Sequence, residues 1–329
     1  MNLPELVISE KTASGLLAEF PLQGMLLVAD SHNGPLAEAS GFTVKVINSH
    51  HEIHFNDVDS SRFTGVIALG GCSALDVGRY IAGGRPFFGI PTILSTSCIS
   101  VNISILRSRQ EERMVKTVTP EKTIIPMGTI LSTPRDELER YSASGLGDLL
   151  ANMSASINYG YSHGDLSYER LRENAALAFD ALGWIRDSFT AYDRPALVRL
   201  ATYLHDSSLE VIRRGSPELS ADFEHRFYET IIRQQRYSST IQTHGFLVMP
   251  GTLMSVFVYE KHSEPRGLTE QLKKACCKAG IPASYGEFGK YGIAREHILE
   301  ALGELRDGPS LVAHSLREEG TAFVDELLS

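Results

Sequence analysis

The sequence predicts an α/β amino-terminal domain with a parallel sheet, residues 1–133, and an all-α carboxyl-terminal domain, residues 134–329. Three observations carry this division. In the first part short apolar runs alternate with short helical segments, the order of a parallel sheet with crossover helices. One such run, Val66-Ile67-Ala68-Leu69, delivers the chain into Gly70-Gly71 and then a helix-like segment. Beyond Pro134 the apolar residues recur at helical spacing, as in Leu197, Leu200, Ala201 and Leu204 or in Ile298, Leu302 and Leu305, with almost no strand-like alternation.

Taken in order, Met25 to Ala29 is a buried-strand run ending in Asp30, and Phe42 to Ile47 alternates. Val66 to Leu69 and Phe87 to Ile90 supply two more strands, the latter running into Pro91-Thr92, with helical segments near Gly34 to Ala39 and Ala74 to Ala82. Val101 to Leu106 and Met114 to Val118 read as a strand pair across a polar turn, followed by Thr123-Ile124-Ile125-Pro126. A parallel sheet binds its ligands at the carboxyl ends of its strands. Gly70, Gly71, Cys72 and Ser73 stand at such an end, where glycine admits a close backbone approach and a helix start favours an anion. A plain structural turn is the competing reading.

Composition narrows the function. The chain has 329 residues, 43% of them hydrophobic and 22% charged, with a formal charge of -9 that argues against a nucleic-acid surface. No apolar run approaches the roughly 18 residues of a membrane span, and the start lacks a signal-peptide pattern, so a cytoplasmic protein without membrane contact is expected. The cysteines, Cys72, Cys98, Cys276 and Cys277, lack CxxC spacing and read as reduced thiols.

Ser144-Gly145-Leu146-Gly147-Asp148 opens the helical part and reads as a helix start, with Asp148 either an acid favoured by the helix dipole or a hard metal ligand. His225 lies in the helical segment Glu218 to Gln235, and His244 opens the next helix across the polar turn Ser238-Ser239-Thr240. Neighbouring antiparallel helices can bring these histidines to one point. One Asp and two His leave a coordination position open, as a catalytic metal requires, and they suit Zn²⁺ best, with Fe²⁺, Ni²⁺ and Mn²⁺ sharing the ligand type. His50, His51 and His54 also sit near one another, at a spacing that suits a loop.

With these features in this order, the chain resembles the superfamily of iron-containing alcohol dehydrogenases, glycerol dehydrogenase and dehydroquinate synthase, most closely its glycerol-1-phosphate dehydrogenase branch, over roughly residues 20 to 260. The resemblance implies a dehydroquinate synthase-like fold. It places Gly70 to Arg79, with Asp76 inside it, on the family's Gly-Gly-Gly-Ser-x-x-Asp-x-x-Lys stretch around the pyrophosphate of NAD(P). Pro91-Thr92-Ile93-Leu94-Ser95-Thr96-Ser97 falls on the segment lining the nicotinamide, and Asp30 near the adenosine ribose, where a carboxylate favours NAD over NADP. Asp148, His225 and His244 fall on the family's metal ligands.

The departures bear on the substrate. Cys72 replaces a glycine, and Arg79 a lysine, keeping charge but not geometry. Ser97 stands where relatives carry a substrate-side Asp, Glu229 where a second His would be, and Phe246 where a Glu follows His-Gly. The metal set survives while the substrate shell is rebuilt.

The resemblance implies an NAD(P)-linked, metal-dependent dehydrogenase or reductase of a small polyol, hydroxyketone, aldehyde or its phosphate. Glu229, one turn beyond His225, reads as a proton relay, a further metal contact or a solvated carboxylate. A cyclase of the dehydroquinate synthase type, using NAD transiently, would need basic residues such as Arg107, Lys116, Lys122, Arg226 and Arg233 gathered at the substrate, and the family's Asn-x-Gly-His-x-x-Gly-His segment is missing. A non-catalytic nucleotide-binding descendant is the third reading. A homo-oligomer is expected by analogy.

Overall fold

The computed structural model describes residues 3–47, 60–107, 112–234, 243–263 and 266–329. The chain divides into two compact units, one of residues 1–138 with 197–214 and one of residues 139–196 with 215–329.

The first unit holds a six-stranded, wholly parallel sheet. Its strands are β1 (Glu5–Ser9), β2 (Met25–Asp30), β3 (Thr43–Ile47), β4 (Gly65–Gly70), β5 (Phe87–Pro91) and β8 (Lys122–Pro126). They are arranged β1-β8-β5-β4-β2-β3. A separate antiparallel pair, β6 (Ile103–Arg107) and β7 (Glu112–Lys116), forms the second sheet. The strands from Met25 onward fall where the apolar runs predict them. β1 is the addition: a five-residue edge strand, exposed at its first residue, carries too short an apolar signal to stand out from sequence.

Connecting helices α1 (Ala13–Leu17), α2 (Gly34–Ala39), α3 (Cys72–Ala82) and α4 (Met127–Ile130) complete this part. Its core gathers Leu27, Ala29, Ile67, Leu69 and Ile90 from the central strands with Leu16, Leu17 and Ala37 from the helices. The parallel register sets Ala29 beside Leu69 and Gly70 beside Pro91, so Asp30, Gly70 and Thr92 emerge together at one edge.

From Arg135 onward the regular elements among the described residues are helices: α5 (Arg135–Ser162), α6 (Tyr168–Asn174), α7 (Ala176–Ser188), α8 (Arg194–Arg214), α9 (Phe223–Gln234) and α10 (His244–His262). They continue through α11 (Leu268–Ala279), α12 (Tyr285–Gly289), α13 (Arg295–Leu305), α14 (Leu311–Glu319) and α15 (Ala322–Leu328). Most of α8, from Leu197, groups with the α/β unit. Within that unit Ser208 donates to the carbonyl of Ser97 and accepts from the amide of Ser100 (3.1 Å), while Ser100 Oγ lies 2.8 Å from His205 Nδ1 and 2.7 Å from Thr123 Oγ1.

One expectation fails. Asp148 does not follow a helix start; it lies in the middle of the 28-residue α5. The glycines that read as a helix opening serve a helix crossing instead. A Cβ on Gly147 would strike the backbone of Gly245, and one on Gly245 would overlap the Ser144 carbonyl and come within 2.9 Å of the Asp148 nitrogen. Packing of buried faces stabilises a helix that three glycines and several serines would weaken in isolation.

Candidate functional site

At the carboxyl edge of the sheet, Asp30 Oδ2 accepts from the Gly71 amide (2.8 Å) and Oδ1 from the amide and side chain of Asn33 (3.0 and 2.8 Å). Asn33 also donates to Thr92 Oγ1 (3.2 Å), and the Thr92 amide donates to the Gly70 carbonyl (3.2 Å). Gly70 has φ 141°, and a Cβ there would collide with the Asp30 carboxylate, so this close approach requires glycine. Gly71 caps α3, and Cys72 and Ser73 form its first turn, half-buried. Asp30, Gly70, Gly71, Cys72, Ser73 and Thr92 are thus brought together, with Asn33 as the bridge that sequence reasoning missed. Its side-chain role depends on Thr92, 59 positions away.

Asp76 and Arg79 lie on α3 and do something else. Arg79 is fully buried and bonds Asp76 Oδ1 (3.0 Å) and the carbonyls of Leu75, Cys98 and Val101. A lysine could not make this fan of bonds, because the planar guanidinium supplies five donors. Arg79 therefore fixes the backbone that follows the Thr92 to Ser97 segment. Within that segment Ser97 is buried and Ser95 half-buried.

The helical unit brings Asp148, His225 and His244 together. Their ligand atoms all lie within 4.8 Å of one another, and among the described residues this is the group that could hold a metal ion. His244 Nε2 is 3.1 Å from His225 Nε2 and 3.1 Å from Asp148 Oδ1; His225 Nε2 is 4.0 Å from the same oxygen. Asp148 is buried, and both histidines keep about a quarter of their side-chain surface exposed. Three backbones meet here because Gly147 and Gly245 let α5 and α10 touch. Gly251 does the same for α9, since a Cβ on it would lie 2.7 Å from Glu224 Cα.

The electrostatics favour positive charge. Burial is the largest influence on His225 and lowers its proton affinity, but Glu224, Asp148 and Glu229 together outweigh it and raise the imidazole above its ordinary value. An oxygen and two imidazole nitrogens converging in such a field have the chemistry of a dication site with open coordination.

Glu224 was not foreseen. It is fully buried, and Oε1 accepts from His225 Nδ1 (2.9 Å) and from the Asp222 amide (2.9 Å). An acid in the first turn of a helix ordinarily reads as a response to the helix dipole, which hid this role. Tyr228 packs edge-on against His244 at 4.6 Å between ring centres. Glu229 is exposed, and Phe246 is buried against Tyr291.

Of the basic residues considered for a phosphorylated sugar acid, Lys122 pairs with Glu5 (2.9 Å), Arg226 with Asp222 and Arg233 with Glu304. Lys116 is exposed. The Arg107 side chain, the His50, His51 and His54 group and the turn Ser238 to Thr240 lie outside the described residues.

A parallel-sheet unit with a glycine turn at its carboxyl edge, and a helical unit with an Asp-His-His group, make up a dehydroquinate synthase-like fold. Comparison with known proteins agrees. No family model matches. The chain is 26% identical over 249 residues to a glycerol-1-phosphate dehydrogenase [NAD(P)+] of Aeropyrum pernix, an alignment covering 74% of this chain and 66%, just under two thirds, of that enzyme. It is 24% identical to the enzyme of the same name from Methanococcus aeolicus, over 98% of this chain and 94% of that one. Among solved structures, a probable glycerol dehydrogenase from Sinorhizobium meliloti superposes with TM-score 0.72 at 15% identity, covering 98% of this chain and 97% of its own. An iron-containing alcohol dehydrogenase from Corynebacterium glutamicum gives 0.66 at 15% identity, with 98% and 94% covered. The chain is thus similar in sequence to glycerol-1-phosphate dehydrogenases and in fold to glycerol and iron-containing alcohol dehydrogenases.

Proposed function

We propose that the protein is a metal-dependent, NAD(P)-linked dehydrogenase or reductase acting on a small polyol, hydroxyketone, aldehyde or a phosphate of one of these. The convergence of Asp148, His225 and His244 carries the reading. These residues would hold one divalent metal, Zn²⁺ first and Fe²⁺ or Ni²⁺ as alternatives, given a borderline nitrogen and oxygen donor set. When bound, the metal polarises the substrate oxygen and the dinucleotide carries the hydride.

The chain's own residues prepare this chemistry. The amides at Gly71 to Ser73 and the α3 amino terminus offer donors to a pyrophosphate, on a turn held by Asp30 and Asn33. Thr92 and Ser95 are assigned to the nicotinamide side and Ser97 to the substrate side, with Asp76 and Arg79 holding the backbone that follows. The Asp30 carboxylate disfavours a 2′-phosphate and so favours NAD, NADP being the second choice. Glu229, whose charge reaches His225, is assigned to proton exchange with water. Residues 1–133 would thus be the dinucleotide domain and residues 134–329 the metal and substrate domain.

We also propose a homo-oligomer in the cytoplasm. Among the described residues no helix is long and apolar enough to cross a membrane.

The test is a screen of small polyols, aldehydes, ketones and their phosphates with NADH and NADPH on protein reconstituted with Zn²⁺, Fe²⁺ or Ni²⁺. Metal-dependent net turnover of the dinucleotide is expected. Conversion with no net consumption would point to the cyclase, and a protein that binds none of the three metals would overturn both catalytic readings.

A further inference from the structure

We infer that Glu224 is a positioning residue whose negative charge serves metal retention at His225, at a cost in stability to the metal-free protein. The inference rests on the metal reading above and concerns a residue outside the ligand set.

The geometry separates the two oxygens of this carboxyl group. Oε1 makes both contacts, accepting from His225 Nδ1 and from the Asp222 amide at 2.9 Å each. That bond commits the proton of a neutral His225 ring to Nδ1, leaving the Nε2 lone pair towards Asp148 and His244. Oε2 is buried and has no hydrogen-bond partner. A carboxylate oxygen without a partner in the interior carries a desolvation penalty. A glutamine could make both Oε1 contacts in the same volume while removing the charge. Packing and hydrogen bonding to Oε1 therefore do not require an acid here, whereas a dication one imidazole away gains from it. A carboxylate bonded to the far nitrogen makes a ligating imidazole more basic and fixes its orientation.

The test uses the full-length protein, stripped of metal and titrated with Co²⁺ followed by its visible absorption bands, alongside thermal unfolding of the metal-free form. Glu224→Gln is expected to weaken Co²⁺ binding about 10- to 100-fold, the range found for such outer carboxylates. Its metal-free unfolding temperature, measured at alkaline pH with the His225 ring neutral, should equal or exceed that of the parent. Glu224→Asp, which keeps the charge but opens a gap, is expected to unfold at lower temperature while binding Co²⁺ more tightly than the Gln variant. Unchanged Co²⁺ affinity in Glu224→Gln would overturn the inference. So would an affinity that follows unfolding temperature across both variants, because that is the mark of a merely structural group. If the parent protein itself binds no Co²⁺, the metal reading fails instead.

Discussion

At the carboxyl edge of the sheet, Asp30 directs its carboxylate to the Gly71 amide and Asn33, and Arg79 bonds three carbonyls and Asp76. In the helical unit, Asp148, His225 and His244 aim their ligand atoms at one another, two imidazole nitrogens 3.1 Å apart. The first region pairs its polar groups with nearby backbone and becomes a rigid frame that presents amides. The second concentrates donors where a cation is favoured. One region is organised by shape, and the other by charge.

The sharpest way to break this comparison is to remove a donor. His225→Ala or Asp148→Ala should lower activity by about three orders of magnitude and abolish stoichiometric metal, since a catalytic metal supplies several kcal/mol. Dinucleotide binding, followed by NADH fluorescence, should persist. Elemental content that survives either change would remove the residue from the ligand set.

Arg79→Ala attacks the frame instead. Deleting a buried cation from its pair costs roughly 3–5 kcal/mol, and the carbonyls of Cys98 and Val101 lose their donor as well. Denaturant unfolding should show the loss while metal content per folded protein stays constant. A smaller effect is expected at the helix crossing. Gly245→Ala must push α10 from Ser144, an overpacking cost of about 1–3 kcal/mol that should reduce metal affinity together with stability.

The smallest effect is a contrast between two histidines. In the α/β unit His205 is buried and its proton affinity lies below the ordinary value, mainly through burial. The unfolded chain binds that proton more readily, so His205 costs stability as pH falls below about 6.5. His225 is raised, so in the metal-free protein it adds stability that is present below about 6.5 and fades as pH rises through its folded value. Urea midpoints of the metal-free protein between pH 5.5 and 8 should therefore become less acid-sensitive in His205→Gln and more so in His225→Ala. The same direction of change in both variants would contradict the contrast.

Much of this was legible from sequence. The apolar runs Met25 to Ala29 and Val66 to Leu69, the Gly70-Gly71 turn and the choice of one Asp and two His as a group that converges all rest on local pattern or side-chain chemistry, which a sequence carries explicitly. Even Gly147 was noticed, but with the wrong meaning: it admits the backbone of Gly245, 98 positions on, rather than opening a helix. Arg79, which the sequence shows only as a lysine replaced with charge kept and geometry changed, is a buried clamp.

What the sequence by itself determined is therefore which segments are strands or helices and which atoms can bind a metal, because periodicity and donor type are properties of neighbours along the chain. Only the tertiary structure decided that Asp148 sits mid-helix, that Leu197 to Arg214 groups with the α/β unit through His205 and Ser208, and that Glu224 stands behind His225. Each of these depends on which distant backbone a small or polar residue meets. That meeting is fixed by close packing in three dimensions, and no local pattern records it.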